Sequence, residues 1–197
     1  MPLITFAPEQ SRRHAFVVGT ATSPVGYADI STGVRKELAA ARSLLLGELG
    51  YRQETYRELV DPDESTLKKA IAQWRAAIAP KPDDWLLVYY TGHGVDRAGM
   101  LRLITVDATI PEVAVSAQDI VVALLGGDEL PPHALLVFDT CQSGAAHLDT
   151  VAMAARLREA AGGKARGADC HVVATARSIQ NATVSRFIEA LRDAIID

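Results

Sequence analysis

Short apolar runs alternate with segments of helical periodicity along almost the whole chain, and that alternation leaves few folds open. Ala15-Phe16-Val17-Val18, Trp85-Leu86-Leu87-Val88-Tyr89-Tyr90, Ala134-Leu135-Leu136-Val137-Phe138 and His171-Val172-Val173-Ala174-Thr175 are nearly continuous in their hydrophobicity. Strands buried on both faces have this character, whereas half-exposed strands alternate. Between them, Val34, Leu38, Ala41, Leu45 and Leu49 recur at three- and four-residue spacing over residues 34–49, and Gly50 ends the pattern. A second helix shows Leu67, Ala70, Ile71, Trp74 and Ile78 on one side. The acidic turn Asp61-Pro62-Asp63-Glu64 opens it and Pro80-Lys81-Pro82 stops it. Further helices are expected over residues 115–125, 149–161 and 184–196, with a weaker strand over 51–60 and a short one over 101–105. Residues 95–99 read as a loop. Strands interleaved with helices predict one α/β domain, its sheet mostly parallel and covered on both faces.

Residues 1–11 read as a loose leader and 12–197 as the domain. Because the chain stops directly on a helix, the domain also suits being the catalytic module of a longer protein. At 197 residues and 49% hydrophobic content, the chain can bury a sizeable single core. A formal charge of −4 gives no electrostatic reason to expect nucleic acid or an anionic membrane as partner. The apolar runs fall far short of the roughly 20 residues that span a bilayer. Pro2-Leu3-Ile4-Thr5-Phe6 lacks the basic start of a signal peptide, so a cytoplasmic location is the default. The two cysteines, Cys141 and Cys170, have no CxxC spacing, and a disulfide between them is disfavoured in that compartment.

Chemistry concentrates at two strand exits. The run ending at Phe138 breaks into Asp139-Thr140-Cys141-Gln142-Ser143-Gly144, and the run ending at Tyr90 breaks into Thr91-Gly92-His93-Gly94. A free cysteine, with a pKa of about 8.5, is only a few per cent thiolate at neutral pH and works as a nucleophile when an imidazole lies within reach. Taken singly, a cysteine after a strand is more often a small buried hydrophobe, and a lone histidine a hydrogen-bonded surface residue. Two such residues at the C-terminal ends of strands in one parallel sheet would emerge on the same edge. The flanking glycines permit close approach of a substrate backbone and a free N–H near a developing oxyanion.

These two motifs together resemble the caspase and metacaspase superfamily of clan CD cysteine peptidases. The spacing of histidine and cysteine is that of the caspase signature. The cysteine motif, with Asp139 two residues before Cys141 and Ser143 before Gly144, is closer to its metacaspase-like form. The resemblance covers residues 12–196 and implies a three-layer α-β-α caspase-like sandwich. It implies Cys141 as nucleophile and His93 chiefly as general acid, with the backbone N–H groups of Gly94 and Cys141 as oxyanion hole. Asp139 would line the pocket for the residue on the acyl side of the cut bond. A buried carboxylate selects a cationic partner, so cleavage after Arg or Lys is expected.

Asp29, in the long polar loop after the first strand, is the second pocket acid that the resemblance suggests. The asparagine-aspartate pair usual early in the next helix is absent, where this chain reads Val34-Arg35-Lys36-Glu37-Leu38. Asp96 and Asp107 are further loop acids available to the pocket or to a cation. Ser178 would contact the peptide backbone from the loop after the last strand. Lys164 and Arg166 would suit self-cleavage by an enzyme that prefers basic residues. No cofactor or metal is expected, although calcium activates some members of the resembled family. The expected partners are a polypeptide substrate and a regulatory domain or protein, in stress, cell-death or defence signalling by analogy.

Other chemistries fit less well. A cysteine-phosphatase loop would need arginine where His147 stands, and a dinucleotide loop would need glycine where Arg97 stands. His133, His147 and His171 form no pair spaced for zinc. The competing function from another class is a catalytically inactive interaction or signalling module on the same fold. A scaffold, however, has no need of both Cys141 and His93.

Overall fold

A computed structural model describes residues 12–22, 26–81, 83–109, 114–125, 133–141, 152, 169–177 and 187–196. Its centre is a five-stranded sheet of β1 (Arg13–Gly19), β2 (Arg57–Val60), β3 (Trp85–Gly92), β7 (His133–Cys141) and β8 (Asp169–Arg177). The order across the sheet is β2-β1-β3-β7-β8, and every neighbouring pair is parallel. Helices α1 (Ser31–Arg42), α2 (Glu64–Ile78), α3 (Ala117–Leu125) and α4 (Phe187–Ile196) accompany it. The mixed α/β architecture expected from the alternation, with its mostly parallel sheet, is the observed one.

Strand alternation sorts the core into two layers. Phe16, Val18, Leu86, Val88, Tyr90, Leu136 and Phe138 pack with Leu67, Ile71 and Trp74 of α2 and Ile120, Val121 and Leu124 of α3. Their neighbours Ala15, Val17, Leu87, Tyr89 and Val137 pack instead with Val34, Leu38 and Ala41 of α1 and Ile188 of α4. Both sides of β1, β3 and β7 are therefore dry, which is why those runs read as continuously apolar, whereas on β8 Val173 stands 38% exposed next to buried Val172, so the run over 171–175 is covered on one side only.

Several boundaries differ from the sequence pattern. The first helix continues past Arg42 as a π-helical stretch, Ser43–Glu48, closed by the Leu49 N–H on the Leu44 carbonyl at 2.8 Å. The expected strand over 51–60 pairs only from Arg57, because the Tyr56 N–H folds back on the Arg52 carbonyl and the Trp74 indole donates to the Thr55 carbonyl. Asp63 caps α2 as its position predicts, accepting from the Thr66 N–H at 2.6 Å. Residues 95–99, expected as a loop, form most of a hairpin between β4 (Gly94–Arg97) and β5 (Met100–Leu103). Its turn residues Ala98 and Gly99 both have positive φ, 53° and 80°, as a two-residue hairpin turn demands. The first two residues of the expected helix over 115–125 pair with β5 as β6 (Val115–Ser116). The leader and the expected helix over 149–161 lie outside the described residues, apart from position 152. Among the described residues no helix is long and apolar enough to cross a membrane.

The strand order positions the site. β1 has β2 on one side and β3 on the other; the β1–β2 connection carries α1 over one face, and the β2–β3 connection carries α2 back past β1 over the other. In open parallel sheets such a switch point opens a crevice beyond the carboxyl ends of the strands, and ligands bind there. The loop after β1 and the exit of β3 meet at that crevice.

Candidate active site

Register brings the two reactive positions level. Gly92 of β3 pairs with Thr140 of β7, so the next residues, His93 and Cys141, leave adjacent parallel strands at the same height. Neighbouring strands run about 5 Å apart. Cys141 is the last residue of β7 and pairs across its other side with Arg177 of β8. β3 ends at Gly92, where a Cβ would stand 2.9 Å from the Tyr90 hydroxyl and 3.2 Å from the Thr20 carbonyl. Only glycine lets β3 end this close to β1.

His93 is 9% exposed and held from the β1–α1 loop. Its Nε2 lies 2.8 Å from the Ala28 carbonyl, and the Tyr27 ring packs 5.0 Å from the imidazole centroid. A carbonyl can only accept, so Nε2 carries a proton and donates it to Ala28. The backbone of His93 is fixed as firmly. Its carbonyl accepts from the Ile104 N–H at 3.0 Å, and the buried Tyr90 hydroxyl lies 3.2 Å from the same oxygen. The Ile104 bond makes Gly94 and Leu103 a pair without hydrogen bonds between them, so the Gly94 N–H points away from β5.

Beneath this rim lies an acidic cluster. Asp139, level with Thr91 on β3, is 1% exposed, and the Tyr89 hydroxyl sits 3.3 Å from its Oδ2. The same hydroxyl is 3.1 Å from Oε2 of Glu37, a residue of α1 that is 2% exposed. One phenolic proton faces two carboxyl groups. Burial, and then the negative charges of Asp139 and Glu37, push the Tyr89 hydroxyl well above its ordinary pKa, so it remains a neutral donor. Glu37 was not among the residues singled out from sequence. Its signal was present, since it lies three residues after Val34 and four before Ala41, on the stripe that α1 buries.

Asp29 occupies a different, open place. It lines a cavity of about 320 Å³ with Ala21, Thr22, Tyr27 and Ser31, at the crevice beside His93. Its Oδ1 accepts from the Ser31 N–H at 2.9 Å, and hydrogen bonds from Ser31 hold its carboxyl below the usual range. Asp29 thus borders the cavity, whereas Asp139 is buried and is not among the residues that line it. The other loop acids have structural partners. Asp96 accepts from the Gly99 N–H in the hairpin turn, and Asp107 accepts from the Thr105 hydroxyl and the Glu64 N–H at the start of α2. Ser178, Lys164 and Arg166 lie outside the described residues. Among the described residues no group of three or more His, Cys, Asp or Glu is placed to hold a metal ion.

A histidine and a cysteine level on adjacent strand ends, above buried acids and beside an open cavity, suit acyl transfer by a thiol. The caspase domain family model matches residues 12–194. The chain is a caspase domain. No curated protein matches it. The family belongs to a peptidase clan, and the match spans the whole sheet, so both strand exits fall within it. The central parallel sheet flanked by helices agrees with a caspase-like α-β-α sandwich.

Proposed function

We propose that this caspase domain is a cysteine endopeptidase of metacaspase-like type, cleaving after Arg or Lys through a Cys141–His93 dyad. The observation that carries the reading is the Gly92–Thr140 register together with the Ala28 carbonyl on His93. In the acylation step the Cys141 thiolate adds to the scissile carbonyl carbon. The carbonyl oxygen becomes an oxyanion received by the N–H groups of Gly94 and Cys141, a contribution of about 3 kcal/mol per donor in comparable sites. Collapse breaks the C–N bond, and protonated His93 gives a proton to the leaving amine. His93, now neutral, takes a proton from water as it attacks the thioester, and the thiolate departs.

The Ala28 carbonyl takes the place of an orienting carboxylate in this scheme. It fixes which ring nitrogen faces it, so that proton transfer to the leaving group falls to the other, Nδ1. Asp139 and Glu37 concentrate negative charge beneath the site, and Asp29 adds an anion at the cavity mouth. That set favours a guanidinium or ammonium on the acyl side of the scissile bond and disfavours aspartate there.

The test is a panel of fluorogenic peptides that differ only in that residue, assayed with and without calcium. Arg and Lys peptides should be turned over about 10²-fold faster than Ala or Asp peptides. Preference for Asp would overturn the specificity, and absence of turnover of any peptide would favour the inactive module.

A further inference from the structure

Among the described residues three non-glycine residues have positive φ, and two of them are accounted for locally. Ala79 terminates α2, and Ala98 sits in the β4–β5 turn. The third, Asp61 at φ 53°, directly follows β2 at the C-terminal rim of the sheet, and its side chain reaches across to the loop after β1. Oδ1 accepts from the N–H groups of both Ala21 and Thr22 at 2.7 Å, and Oδ2 accepts from the Thr22 hydroxyl at 2.9 Å. Its own N–H donates to the Gly19 carbonyl at 2.8 Å. Ala21 and Thr22 are two of the residues that line the open cavity. Thr20, just before them, is tied to β3 through its N–H on the Thr91 carbonyl at 3.0 Å and through the Tyr90 hydroxyl on its own at 3.3 Å.

We propose that Asp61 is a positioning residue of the substrate cleft, clamping the root of the β1–α1 loop so that Ala21 and Thr22 form one wall of the cavity. The same loop carries Asp29 at the cavity mouth and the Ala28 carbonyl on His93, so the clamp serves both binding and the imidazole. The left-handed backbone is unfavourable for most side chains, and aspartate and asparagine adopt it more readily than others. It aims one carboxylate at three donors on another strand's exit. Substrate positioning at this precision matters because displacements of about 1 Å in such sites cost on the order of 10² in rate.

The role in catalysis rests on the peptidase reading above, whereas the clamp itself does not, and the experiment separates them. Asp61→Gly keeps the left-handed backbone accessible and deletes the carboxylate. Asp61→Asn keeps the shape and an oxygen acceptor. Amide hydrogen exchange by NMR should show the Ala21 and Thr22 N–H groups exchanging at least about tenfold faster in Asp61→Gly and near the wild-type rate in Asp61→Asn. With an Arg peptide, KM should rise about tenfold in Asp61→Gly, more than kcat falls, and return to within about threefold of wild type in Asp61→Asn. Unchanged exchange in Asp61→Gly would overturn the clamp. Faster exchange with unchanged KM and kcat would reduce Asp61 to a structural residue. If wild type cleaves no peptide, the peptidase reading fails and the exchange rates still decide the clamp.

Discussion

Cys141→Ala is expected to bring peptide hydrolysis to background, and His93→Ala to lower kcat/KM by about 10²–10⁴-fold. The double variant should be no worse than Cys141→Ala alone. Groups that act on the same bond in one step are not additive, because once the nucleophile is gone the imidazole has no tetrahedral intermediate to resolve. Initial rates on an Arg peptide, measured beside circular dichroism to show that the variants fold, check this. Independent, multiplicative losses would mean that the two strand exits do not serve one reaction. The expectation rests on sheet register for the level of the two positions and on the Ala28 carbonyl of the β1–α1 loop for the orientation of the imidazole. Gly92 faces Thr140 in the ladder, and the Tyr90 hydroxyl and Ile104 N–H hold the His93 carbonyl from below.

Asp139→Asn is expected to remove the advantage of basic over neutral peptides, lowering kcat/KM for an Arg peptide about 10²–10³-fold while an Ala peptide changes about threefold or less. The substitution keeps the side chain's shape and an oxygen that accepts from Tyr89, so charge is what changes. Glu37→Gln should act in the same direction with a smaller effect, about tenfold, because Glu37 reaches the cluster from α1 on the far side of Tyr89. Steady-state kinetics on the peptide pair reads both. Equal losses for Arg and Ala peptides would assign Asp139 to shaping the β7 exit rather than to selecting substrate. The buried setting gives the acids their leverage, since a carboxylate with 1% exposure exchanges little of its field with water.

Much of this organisation was legible in the sequence because burial on two faces writes itself as uninterrupted hydrophobicity. Phe16 and Val17, or Val88 and Tyr89, point into different layers, and both layers are dry. The two strand exits were legible as places for a related reason, since each apolar run breaks abruptly, at Thr91-Gly92-His93 and at Asp139-Thr140-Cys141. Of the hairpin at residues 94–103, the second strand was legible as the short apolar run from Leu101, but the first was not, because Asp96 and Arg97 are exposed and read as a loop. The π-helical stretch was equally silent, since Leu44-Leu45-Leu46 satisfies more than one helical period. Of the site, two parts escaped. Glu37 lay on the buried stripe of a helix, where an acid reads as an interruption until the tyrosine opposite it is known. The group that orients His93 is the backbone carbonyl of Ala28, and a carbonyl has no letter in a sequence.

The most direct test of the central claim is alkylation by an arginyl chloromethyl ketone, read by peptide mass spectrometry. The reagent docks a guanidinium and presents a carbon that a thiolate attacks with loss of chloride. One adduct per chain is expected, on the peptide that carries Cys141, with Cys170 unmodified and labelling slowed about 10²-fold or more in His93→Ala. Equal modification of Cys170, or labelling of Cys141 no faster than that of a free thiol, would contradict it.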